Sequence, residues 1–153
     1  MEETTLKHSD QDYHAAILVD EDRKNAFEKI TRVSEWWTKS FKGGSRKVGD
    51  TFSVTFGKTF VDFRVTEFVP GNRIVWKVTD CSLHWIQNKK EWKDTEIVWD
   101  VTEENGRTRI GMTHVGLVPD IECYSNCNDG WNFYVHKSLL GFLTMNQGKP
   151  DKG

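Results

Sequence analysis

The chain has 153 residues, a formal net charge of −2 and 37% hydrophobic residues, enough for one domain whose core needs no disulfide support. Near neutrality gives no reason to expect nucleic acid or an anionic membrane surface as a partner, and no run approaches the roughly 18 apolar residues that a membrane span requires. Three cysteines, with no secretory leader ahead of them, predict a reduced, cytoplasmic protein.

Residues 1–11 are polar and expected to form a flexible N-terminus; residues 1–22 carry seven acids against Lys7 alone. "YHAAILVD" (13–20) reads as a first strand. Asp20 or Asp22 can cap a short helix in which Ala26, Phe27 and Ile30 share a face. A second short helix is predicted through "VSEWWT", with Ser34 as its cap. "KGGSRKVGD" (42–50) is loop chemistry.

From Thr51 the hydrophobic period becomes two. Phe52, Val54 and Phe56 lie on one face of a strand, Val61, Phe63 and Val65 on the next, then Ile74, Trp76 and Val78, and Ile97, Trp99 and Val101. Asp62 and Arg64 alternate with the apolar set and point to solvent. Pro70-Gly71 suits a type II turn, and Asn105-Gly106 a two-residue hairpin leading to Ile110 and Met112. Strands joined in series by tight turns predict one antiparallel sheet with a single apolar face.

The period changes again near the C-terminus. Cys127, Trp131, Val135, Ser138, Leu139 and Phe142 are spaced by three and four, the signature of one helical face. Ser125 is a candidate cap, and Gly148 and Pro150 stop the helix. About twenty residues at about 1.5 Å each give roughly 30 Å, long enough to cross the sheet. The predicted class is therefore α+β: a curved antiparallel sheet wrapped around a long C-terminal helix, with two short helices after the first strand. Residues 12–147 form the single domain, and 148–153 a tail. Phe52, Phe63, Trp76, Trp99 and Met112 from the sheet would face Trp131, Val135 and Leu139 from the helix. The short helices carrying Trp36 and Trp37 would close one end. An aromatic set of this kind either fills a core or lines a pocket.

The motifs "WW" (36–37), "VGDTF" (48–52), "EFVPGNRIVWKV" (67–78), "EWKDTEIVWDV" (91–101), "THVGL" (113–117), "ECY" (122–124) and "GWNFYVHKSL" (130–139) resemble the SRPBCC, or START-like, superfamily. Within it, the resemblance is to the branch named after the activator of heat-shock protein 90 ATPase, and it spans about residues 12–147. The resemblance implies the helix-grip fold. It also implies a cavity under the long helix, in which members of the superfamily hold sterols, lipids, polyketides or plant hormones. A minority of members are cyclases or hydrolases, and the eukaryotic activator works on a chaperone.

Chemistry-bearing residues concentrate in "THVGLVPDIECYSNCNDGW" (113–131). His114, Cys123 and Cys127 can be read as metal ligands, as a redox pair with a neighbouring histidine, or as a nucleophile and base. Core packing competes with each, because Cys127 shares the buried stripe of Trp131 and Val135, and is preferred; no metal site is expected. His114 follows Ile110 and Met112 at period two and faces inward. It is either bonded to a loop carbonyl, a polar contact for a ligand, or a general base lacking an evident carboxylate. Trp85, in the irregular "DCSLHWIQNKKEW" segment, either rims the pocket or is exposed to a partner.

The expected pocket is formed by Trp37, Phe52, Phe63, Trp76, Trp99, Met112, His114, Trp131, Val135 and Leu139. No catalytic constellation and no cofactor are expected. The leading expectation is a binding protein, not an enzyme, holding a small apolar or aromatic molecule. The alternatives are a module docking a cytosolic chaperone through "NKKEWK" or exposed aromatics, as in a stress response, and a polyketide cyclase- or hydrolase-like enzyme.

Overall fold

A computed structural model describes residues 11–152, so residues 1–10 of the expected flexible N-terminus lie outside the described residues. In chain order the elements are β1 (Tyr13–Val19), α1 (Arg23–Thr31), α2 (Val33–Trp36), β2 (Phe41–Gly43), β3 (Thr51–Phe56), β4 (Thr59–Val69), β5 (Arg73–Ser82), β6 (Glu96–Glu104) and β7 (Arg107–Val115). One continuous C-terminal helix follows: α3 (Tyr124–Phe133), a π-helical turn (Tyr134–Leu139) and α4 (Leu140–Met145). This is the α+β helix-grip architecture.

The seven strands make one antiparallel sheet in the order β1-β7-β6-β5-β4-β3-β2. Alternation decides which face is buried. Val54, Val61, Phe63, Val65, Ile74, Trp76, Val78, Ile97, Trp99, Val101, Ile110 and Met112 all point inward and are buried. Asp62 points outward, where it accepts a hydrogen bond from the Ser53 hydroxyl at 2.6 Å. The β4–β5 register shifts between Asp62 and Phe63 and again between Val65 and Glu67, and such irregularities bend and twist a strand. Asn105 and Gly106 both have positive φ (53° and 78°), as a tight hairpin with right-handed strand twist requires. Phe41–Gly43, which overlaps the start of the expected loop 42–50, adds a short edge strand against β3.

Asp22 caps α1, its carboxylate accepting from the Asn25 backbone N–H at 2.9 Å. Ser34 does not cap α2: that single turn begins at Val33, with Arg32 ahead of it and no side-chain cap. Likewise, Ser125 lies inside the first turn of α3, which follows Cys123 and has no side-chain cap. The helix stops at Asn146, in the left-handed region at φ 57°, where the Asn146 and Gln147 N–H groups bond back to Phe142 and Gly141. The chain then returns to the short helices. Ser138 donates to the Trp36 carbonyl at 2.6 Å and accepts from the Lys149 N–H at 2.7 Å. Asp151 exchanges backbone bonds with Trp37 and Lys39.

The helical stripe Cys127, Trp131, Val135, Ser138, Leu139 and Phe142 is buried throughout. It closes on a core dominated by rings. Trp37 stacks on Trp36 at 5.9 Å and on Trp76 at 6.2 Å, and touches Phe63 at 5.8 Å and Trp131 at 4.9 Å. Trp99 meets both Trp36 and Trp76 edge to face. Offset and edge-on contacts of this kind add about 0.5–1.5 kcal/mol each beyond burial.

Candidate ligand cavity at the start of the C-terminal helix

The middle of the sheet is filled, and space remains at one end. A cavity of about 210 Å³ lies between the β3–β4 hairpin, the segment joining β5 to β6, and the first turns of α3. Phe56, Thr59 and Val61 come from the hairpin; Leu83, Trp85 and Trp92 from the joining segment; Asn126, Cys127, Gly130, Trp131 and Tyr134 from the helix; and Trp37 from the end of α2. Large flat rings enclose it. Trp92 and Trp131 are near-parallel (6°) at 6.2 Å. Trp85 is 44% exposed and therefore rims the mouth, while Trp37 and Trp131 form the floor. Thr59, Asn126 and Tyr134 supply the polar side chains. Burial, then proximity to Tyr124, pushes the Tyr13 phenol up to about 12; burial likewise raises that of Tyr134.

Of the expected pocket residues, Trp37 and Trp131 line this cavity. Phe52, Phe63, Trp76, Trp99, Met112, Val135 and Leu139 are packed in the core behind it. His114 is fully buried, and both ring nitrogens are taken by the protein. The Trp131 indole donates to Nδ1 at 3.0 Å, so the ring carries its proton on Nε2, 2.9 Å from the Thr95 hydroxyl. That hydroxyl in turn donates to the Trp92 carbonyl at 2.6 Å. Burial pushes the His114 pKa down to about 3, so the ring is neutral across the ordinary pH range. His114 thus holds Trp131 and, through Thr95, the end of the joining segment.

Sequence reasoning missed the way the joining segment is fixed over the helix start. Glu91 accepts from the backbone N–H groups of Glu122 and Cys123 at 2.8 and 2.7 Å. Glu122 reciprocates, accepting from Gln87 and Asn88 N–H at 2.9 and 3.0 Å. These two bonds hold the Glu122 carboxyl below the usual carboxylate range. Two carboxylates, each accepting from backbone N–H groups of the opposite segment, therefore close the joining segment onto the helix. Lys89 turns back to the His84 and Ile86 carbonyls, and Lys90 pairs with Asp80 at 2.8 Å, so "NKKEWK" is largely engaged with its own fold. No spacing in the sequence signals the latch, because its partners lie some thirty residues apart.

Cys123 and Cys127 are joined sulfur to sulfur across the first turn of the helix, and Cys81 is buried and free. Packing alone therefore does not describe this pair. Among the described residues, no cluster of three or more His, Cys, Asp or Glu side chains could hold a metal ion. No described helix is long and apolar enough to cross a membrane.

The family model described as "Activator of Hsp90 ATPase homolog 1-like protein" matches residues 25–143. The chain belongs to this family. It has the SRPBCC-like fold, and the family includes ligand-binding and polyketide cyclase-like proteins. The solution structure of the Aha1 dimer from Colwellia psychrerythraea superposes with a TM-score of 0.73 at 21% identity, covering 90% of this chain and 98% of that one. The protein SSP2350 from Staphylococcus saprophyticus gives 0.68 at 15% identity, over 90% and 95% of the two chains. DynU16, from the dynemicin biosynthetic locus, gives 0.66 at 18% identity over 95% of this chain and 51% of that one. At these identities the likeness establishes the shared fold. No curated protein sequence matches the chain.

Proposed function

We propose that this domain is a binding protein for a small, flat, apolar molecule held in the cavity at the start of the C-terminal helix. The observation that carries the reading is the cavity wall of Trp37, Trp85, Trp92 and Trp131. Rigid indoles offer large apolar contact at low entropic cost. The volume of about 210 Å³ is below the roughly 300–1,000 Å³ of drug-sized sites, which favours one- or two-ring compounds over sterols or long acyl chains. The fully bonded His114, and the lack of a carboxylate among the described residues of the wall, argue against acid–base catalysis there.

The test is a fluorescence and NMR screen with naphthalene- and indole-type compounds against the whole chain. Quenching of the cavity tryptophans, with shifts confined to the helix start and the joining segment, is the expected result. Absence of any shift across one- and two-ring compounds at millimolar concentration would refute it.

A second reading follows from the family name: docking of a cytosolic chaperone. The exposed ring of Trp85 is the observation in its favour. A pull-down with the chaperone's middle domain, repeated with Trp85→Ala, separates surface docking from cavity binding.

A further inference from the structure

We infer that Cys123 and Cys127 form a reversible thiol–disulfide site, addressed from the cavity, that controls the order of the first turn of the C-terminal helix. Three observations meet here. The sulfurs are joined, with Cα atoms 5.6 Å apart, within the range of disulfide-bonded pairs. Access is asymmetric, because Cys127 lines the cavity while Cys123 is fully buried. The turn they span is also intrinsically weak. It reads Tyr-Ser-Asn-Cys-Asn-Asp-Gly, residues with poor helix propensity, and it has no side-chain cap and no acid in its first turn. What holds it is the disulfide, the Cys127 N–H bond to the Cys123 carbonyl at 2.9 Å, and the Glu91 carboxylate on the Glu122 and Cys123 N–H groups.

The asymmetry dictates the order of events. In oxidation, a small-molecule disulfide enters the cavity and the Cys127 thiolate attacks one of its sulfurs, releasing one small thiol. Cys123, as thiolate, then attacks Sγ of Cys127 in the mixed disulfide. The second small thiol leaves, and the protons lost by the two cysteines end on the two thiols. In reduction, the thiolate of a small thiol attacks Sγ of Cys127 first and frees Cys123, which takes up a proton. A second small thiolate then attacks the small-molecule sulfur of that mixed disulfide, releasing Cys127 and departing as the small-molecule disulfide. The site does not depend on a resident ligand, but loss of the bond slackens Asn126, Cys127 and Gly130, which form the helical wall of the cavity.

The experiment equilibrates the folded, whole chain over a series of ratios of 2-mercaptoethanol to its disulfide, a pair small enough for the cavity. Samples are quenched in acid, denatured, alkylated and weighed. One label (Cys81 alone) should convert to three labels as the ratio becomes reducing, one for each cysteine of the chain. Hydrogen exchange on the same native samples should rise at residues 120–131 and stay unchanged across β4 to β7. Cys123→Ser should accumulate a mixed disulfide on Cys127, whereas Cys127→Ser should take up none. Conversion seen only together with global unfolding would overturn the proposal. So would conversion with no change at residues 120–131, or a mixed disulfide on Cys123 in preference to Cys127. The wild-type exchange arm decides the matter even if either variant fails to fold.

Discussion

Trp131 donates its indole N–H to Nδ1 of His114 at 3.0 Å inside a fully buried site. The bond requires a neutral imidazole, since a protonated ring has no acceptor to offer. Burial supports the same state, lowering the histidine pKa from 6.5 to about 3. A pKa depressed on folding means that the unfolded chain takes up the proton first. Stability from this source is therefore complete above pH 6.5 and falls as the pH drops from 6.5 towards 3. The slope approaches roughly 1.4 kcal/mol per pH unit. Urea unfolding between pH 8 and pH 4 should show this, and His114→Phe should flatten the dependence. The same variant should be about 1–3 kcal/mol less stable at pH 8, because it strands the Trp131 N–H, while the Thr95 hydroxyl keeps its bond to the Trp92 carbonyl.

Glu91 and Glu122 predict a coupled pair. Glu91→Ala and Glu122→Ala should each speed amide exchange in both halves of the contact, residues 86–89 and 121–124. The double variant should exceed either single variant by less than the sum, since both open one closure. Strictly additive effects would show two independent caps. Acid should do the same to wild type. The Glu122 pKa is lowered on folding, so its hold is complete above the ordinary value of 4.5 and is lost as pH falls through the lower folded value.

The cavity rings should separate stability from binding. Trp37→Ala removes a buried ring that touches Trp36, Trp76, Phe63 and Trp131. It should cost about 3–5 kcal/mol in chemical denaturation. Trp85→Ala, at the exposed rim, should change stability by no more than about 0.5 kcal/mol. It should still weaken binding of whichever one- or two-ring compound proves to bind. Equal loss of stability from both variants would contradict the placement of Trp85 at the mouth.

Gly116 ends β7 at φ 102°, and a Cβ there would lie 2.8 Å from Cγ2 of Thr95. Gly116→Ala should destabilise by about 1–3 kcal/mol through backbone strain. It should also shift the His114 ring resonances, because Thr95 is the histidine's partner. An Ala at Gly106, where nothing lies within 4 Å, meets the backbone penalty without that contact and should leave those resonances in place.

The fold was legible because alternation and helical spacing report burial directly. Trp76, Trp99 and Met112 were readable as inward from their neighbours' polarity alone, as were Trp131 and Leu139 from their spacing. The position of the cavity was not. Which inward rings meet and which leave a gap depends on how far apart the strands stand at each end. The cavity lies under Trp85 and Trp92, in a segment that follows neither period. Cap assignments at Ser34 and Ser125 failed for a related reason. The first helix start follows directly on α1, with the Glu35 N–H bonded to the Arg32 carbonyl, and the second takes a carboxylate from another segment, so no local serine is needed. Cys127 satisfied the helical stripe, and that sufficed to explain it until the structure put Cys123 beside it.

The sheet order carries a consequence for synthesis. Among the described residues β1 pairs with β7 alone, from Tyr13 opposite His114 to Val19 opposite Thr108. A chain emerging from the ribosome therefore produces this strand almost a hundred residues before β7 exists. Throughout that interval the apolar side of β1, with Ala15, Ile17 and Val19, has no sheet to join. The domain must close late and all at once, which makes the nascent chain, more than the finished protein, the state most exposed to misassociation.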